Sequence, residues 1–100
     1  MFEAQRREDV IIIRCEGELP REELAAVAAE ARRDRAEGRL VVIDLKRVTH
    51  LHYAGAALLR AIPGLRAAGV SRYLRDLLFA GGAAGHLEMF GDVEEAVRAA

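Results

Sequence analysis

The chain has 100 residues and a formal charge of −1, from 15 Lys+Arg against 16 Asp+Glu. A length of about 100 residues suits one domain, and 52% hydrophobic content excludes a disordered tail, which could not offset chain entropy by burial. Near-zero net charge removes the electrostatic case for nucleic acid. No apolar run approaches the ~20 residues of a membrane span, and MFEAQRREDV lacks a basic head followed by an apolar stretch, so no signal peptide is expected. The expectation is a single cytoplasmic domain over residues 2–100, with no membrane insertion.

In chain order, residues 2–7 predict a short edge strand and Arg6 to Asp9 a polar turn. Val10 to Cys15 is β-branched and apolar throughout, as in a strand covered on both faces. Pro20 stands at a first helical position, where its missing N–H costs nothing. Residues 21–37 then predict a helix with Leu24, Val27, Ala28 and Ala31 on one face, stopped by Gly38. The charge run ARRDRAEGR reads as its solvated side, with the basic residues complementing the helix dipole. RLVVIDL (39–45) is the clearest strand, apolar on both faces and therefore central in a parallel sheet.

After the connection KRVTHLHY, residues 54–68 place Leu58, Leu59, Ile62 and Leu65 at helical spacing, with Pro63 predicting a kink near Ile62 and Gly69 the end. Ser71 is a good N-cap for a run in which Val70, Tyr73, Leu74, Leu77 and Leu78 share a face. GGAAG (81–85) breaks it, residues 87–90 read as a last short strand, and Asp92 with Glu95 opens a terminal helix to about Arg98. Strands alternating with helices imply a mostly parallel α/β sheet.

Chemical motifs are sparse. The single lysine, Lys46, is in no phosphate-binding loop, and one serine (Ser71) and one threonine (Thr49) supply few hydroxyl nucleophiles. Cys15 is the only cysteine, which excludes an internal disulfide and a thiolate metal cage and reads as an inert core thiol. His50 and His52 could share one side of extended chain, but with His86 far off in sequence and no third ligand in view, no metal site and no cofactor are expected. Asp44, which closes the central strand in this reading, is a structural carboxylate accepting loop N–H groups. No catalytic residue is expected, and the chain reads as a non-enzyme.

Residues 39–69, RLVVIDLKRVTHLHYAGAALLRAIPGLRAAG, resemble the STAS domain, the fold of bacterial anti-sigma-factor antagonists. Val42, Ile43, Asp44 and Leu45 match its central strand; Val48, Thr49 and Leu51 its loop; Gly55, Leu58, Leu59 and Ala67 to Gly69 its helix. Upstream, Gly17, Glu18 and Leu19 match the family's Gly-Glu-Leu, and downstream residues 73–82 and 89–97 resemble its third helix and its last strand and helix. The resemblance implies a small STAS-like mixed sheet of four or five strands, mostly parallel, with three to four helices.

The chain departs from the family in two places. The family's phosphorylated serine aligns with Tyr53 and the aspartate before it with His52. A kinase that positions a short aliphatic hydroxyl is not served by a phenol, so the charge-adding switch at this helix start is expected to be absent, with Thr49 the alternative acceptor. Second, only Val70 separates Gly69 from Ser71, where the family has a strand. Either that strand is missing, leaving four, or residues 77–81 supply it at the expense of the third helix; helical spacing in 70–78 favours the first. A missing strand would expose an edge and invite a homodimer.

The resemblance thus implies a protein-binding module whose partner is an anti-sigma kinase, docked through Thr49, His50, His52, Tyr53 and Gly55. The alternatives are a scaffold subunit of a signalling or lipid-transport assembly, and a sensor for a nucleotide or other small ligand.

Overall fold

In the computed structural model, which describes residues 1–83 and 87–99, the apolar runs of the sequence pair side by side. The elements are β1 (Phe2–Arg7), β2 (Val10–Leu19), α1 (Arg21–Ala36), β3 (Leu40–Leu51), α2 (Tyr53–Ala56), a 3-10 turn (Ala57–Leu59), β4 (Arg66–Ala68), α3 (Arg72–Ala80), β5 (Glu88–Phe90) and α4 (Val93–Arg98). The five strands lie in chain order across one sheet. β1 is antiparallel to β2, and every later pair is parallel. Among the described residues, five strands and four helices agree with the expected α/β architecture; residues 84–86, with His86 of the sequence reading, lie outside them.

The side-chain alternation of the strands explains the two layers. Ile11, Ile13 and Cys15 of β2 and Val41, Ile43 and Leu45 of β3 face Leu24, Val27, Ala28 and Ala31 of α1, all buried. On the other face Val42 and Ala68 meet Ala96 of α4, flanked by Phe90, Val93 and Val97. The uninterrupted apolar run of β3, residues 40–43, therefore lies between helices on both faces of the sheet. Edge strand β1 alternates instead: Phe2 and Ala4 are half-buried while Glu3, Gln5 and Arg7 are exposed.

Helix α1 begins after Pro20, whose extended backbone makes it the N-cap rather than the first helical residue, with Glu22 and Glu23 in the first turn and Arg33 and Arg35 in the last. Its charge run is not wholly a solvated face. Asp34 is fully buried, three residues past Ala31 on the same stripe. It accepts from Arg6 of β1 at 3.1 Å through each carboxylate oxygen and from Arg39 at 2.9 Å, tying β1, α1 and the start of β3 together. Arg6, on the inward face of β1, is thereby satisfied without being apolar.

The structure corrects the reading of residues 46–69. β3 continues to Leu51, so Asp44 lies inside the strand and the expected connection is mostly extended chain. The predicted helix over 54–68 lasts only from Tyr53 to the 3-10 turn at Leu59. Pro63 disfavours helical backbone at Ile62 and Gly64 takes φ +71°, so the chain reverses here instead of kinking. Arg66–Ala68 then emerges as β4, paired with Val42–Asp44 on one side and Glu88–Phe90 on the other. This is the strand that the spacing left unaccounted for. It comes from the end of the predicted helix, and α3 is retained in full. Its Arg66 donates to the carbonyls of Ala96 (2.7 Å) and Ala99 (2.8 Å) and sits over the Phe90 ring, fastening the end of α4.

Candidate functional site

The surface singled out by the sequence lies where β3 ends. Leu51 is buried, and His52 turns the chain into α2 as its N-cap, with His52 Nδ1 accepting from Ala54 N at 3.2 Å. Tyr53 is the first residue of α2 and 57% exposed, its ring stacked parallel to His52 at 5.6 Å between centroids. A helix this short owes its position to its neighbours. Gly55 is buried against α1, where an added Cβ would come within 2.8 Å of Leu24 Cδ1. Gly81, at the end of α3, lies so close that a Cβ would stand 2.4 Å from the Tyr53 carbonyl oxygen. Two side-chain-free contacts thus fix the height and tilt of the Tyr53 turn. Gly55, expected on the contact surface, is part of its support.

The other end of α3 meets β3 at His50. Ser71 caps it, as expected, accepting from Leu74 N at 3.1 Å. Leu74 and Leu78 are buried, but Tyr73, expected on the apolar face, is 52% exposed and corrects that reading. Its hydroxyl shares a 2.6 Å hydrogen bond with His50 Nδ1, and the two rings stack at 5.8 Å. Thr49 is exposed beside them on β3. His50 and His52 therefore each have a role within the fold, one pinning α3 to β3 and the other capping α2.

Near the end of β3 the structure forms two aromatic pairs, His50 with Tyr73 and His52 with Tyr53, and Thr49 is exposed on the same strand. Among the described residues the exposed large hydrophobics are Met1, Tyr53, Tyr73 and Phe79, so three of the four are on α2 or α3. Sequence reasoning missed Tyr73 because a position adjacent to Leu74 falls within a broad helical stripe. Its distance from the 74/78 axis was the available signal.

Other chemistry-bearing groups are held in place. Cys15 is buried, and desolvation pushes its thiol up to about 12, so it stays protonated and poorly nucleophilic. Asp44 Oδ1 accepts from Lys46 N at 3.0 Å, the structural role expected of it, and Asp44 Oδ2 lies 3.7 Å from Arg14 Nε. A groove of about 450 Å³ beside that pair is lined by charges of both signs, including Glu3, Glu16, Lys46 and Arg47. No helix of the described residues is long and apolar enough to cross a membrane.

A five-stranded mixed sheet, with α1, α2 and α3 over one face and α4 over the other, is the STAS-like α/β fold. Among solved structures the chain is similar to the anti-sigma factor antagonist SpoIIAA in its unphosphorylated form, with TM-score 0.71 and 16% identity over 97% of this chain and 93% of that one. It is also similar to the Bacillus cell fate determinant SpoIIAA in the phosphorylated form, with TM-score 0.64 and 17% identity over 97% and 96%. An uncharacterised DUF3478-family protein with a SpoIIAA-like fold, from Shewanella loihica PV-4, matches at TM-score 0.56 and 14% identity over 97% and 89%. No family model and no curated protein matches the sequence. At such identities the likeness establishes the fold.

Proposed function

We propose that this chain is a cytoplasmic regulator of the anti-sigma-factor-antagonist kind, a binding module rather than an enzyme. It docks an anti-sigma kinase-type partner through Thr49, His50, His52, Tyr53 and Tyr73. The observation that carries the reading is the placement of Tyr53: a half-exposed phenol on the first turn of α2, held from below by two glycine contacts. Rigid, amphipathic tyrosines are typical interface anchors because they offer a large contact area with little entropy to lose. The α2 turn has no serine, and a phenol does not present its oxygen where an aliphatic hydroxyl would. The partner therefore binds without being released by phosphate at this turn.

The test is titration of a candidate ATP-binding anti-sigma kinase with the wild-type chain and with Tyr53→Ala, followed by incubation with Mg-ATP and intact-mass measurement. Truncating an anchor weakens binding about tenfold or more, while thermal stability shifts by less than about 0.5 kcal/mol, as for an exposed side chain. The wild-type mass stays unchanged. Phosphate on Tyr53, or equal affinity of the variant, overturns the proposal.

A further inference from the structure

Strand β1 forms one border of the sheet. At its start Met1 and Glu16 exchange backbone hydrogen bonds: the Met1 amine donates to Glu16 O at 3.3 Å and Glu16 N donates to Met1 O at 2.9 Å. Such exchanging pairs alternate along an antiparallel ladder. By the observed register, Glu3, Gln5 and Arg7 direct N–H and C=O toward β2, and Phe2, Ala4 and Arg6 direct theirs outward. An outward row of backbone donors and acceptors is a template for another strand, and proteins usually guard it with charge.

Here the charges do not guard the edge against its own copy. Arg6, on the α1 side, is engaged by Asp34 and Glu30. On the opposite side Glu3 and Arg7 are exposed, opposite in sign, and without an ion-pair partner among the described residues. They lie symmetrically about Gln5.

We propose that β1 is a self-complementary docking edge whose occupant is a second copy of this chain, paired antiparallel about a two-fold axis at Gln5. A continuous sheet keeps facing residues on the same side, which excludes registers displaced by one residue. With Gln5 opposite the partner's Gln5, Glu3 faces the partner's Arg7 on both sides of the axis. Ala4 faces the partner's Arg6, so that their outward backbone groups bond. Moving the axis to Ala4 sets Glu3 against the partner's Gln5 and loses the charge match. Moving it to Arg6 brings two arginines together. Helix α1 packs over β2 and β3, and among the described residues no strand pairs with the outer edge of β1. The proposal does not depend on the partner-binding role of Tyr53, which lies on a different element. It also differs from the dimer expected from a missing strand, since no strand is missing.

The experiment is sedimentation velocity across a concentration series on the chain carrying its tag at the C-terminal end. The wild type shifts from monomer to dimer as concentration rises. Glu3→Arg and Arg7→Glu each weaken the dimer about tenfold or more by setting like charges opposite one another, and the double exchange Glu3→Arg with Arg7→Glu restores it. Ala4→Pro, which removes an outward N–H, abolishes the dimer while the circular dichroism spectrum is retained. A chain that is monomeric at every concentration overturns the proposal. So does a dimer indifferent to the single charge reversals, or one that the double exchange fails to restore.

Discussion

Helices α1 and α2 lie side by side on one face of the sheet and are held by opposite means. α1 has 16 residues, a buried stripe from Leu24 to Ala31, and a buried carboxylate binding two arginines. α2 has 4 residues, one imidazole cap, and glycine contacts against Leu24 and the end of α3. Burial of apolar area stabilises the first. The second contributes little burial of its own and is carried by the first. The chain thus separates the part that holds the fold from the part that displays aromatic rings.

That separation can be broken most severely at Ile43, which β3 presses beneath α1. Ile43→Ala costs about 2–5 kcal/mol, read from denaturant unfolding, and a change near zero would mean that β3 is not central. Alkaline pH acts on the same layer through Cys15. Its thiol ionises at an ordinary value of 9.0 in the unfolded chain and is pushed up to about 12 when buried. Between those values the unfolded state binds fewer protons than the native one, so stability falls as pH rises, by about 1.4 kcal/mol per unit from this group. Unfolding curves for wild type and Cys15→Ala should therefore converge from pH 9.0 upward, relative to their difference at neutral pH. The mildest change sharpens the contrast at α2. His52→Ala removes one cap at a cost of about 1 kcal/mol, seen in the melting midpoint, together with faster amide exchange confined to Ala54 and its neighbours.

The long apolar elements were legible because their periodicity is unambiguous. Residues 10–13 and 40–43 have no polar face, and the 24/27/28/31 stripe fits one helix only. The capping roles of Ser71 and Asp92 were legible too, since each side chain reaches an N–H three residues on, at 3.1 and 2.8 Å. Residues 54–68 were misread because Leu58, Leu59, Ile62 and Leu65 satisfy a helical spacing that two turns and a short strand also satisfy. Three residues, Arg66 to Ala68, are too few to show an alternation of period two. At the site, Tyr53 was found through the family resemblance, which aligns it with the phosphorylated serine. Tyr73 was not, because its reason for facing outward is His50, 23 residues earlier. Asp34 escaped for the same reason: its partner Arg6 lies 28 residues away.

By itself the sequence determined the identity of the core, the central rank of β2 and β3, and the α/β class, because apolar periodicity is a local property that hydrophobic burial reads directly. Only the tertiary structure decided where β4 lies, that Asp34 goes inside, and that Tyr73 pairs with His50. Those outcomes depend on groups far apart in sequence reaching hydrogen-bonding distance, which no local pattern encodes.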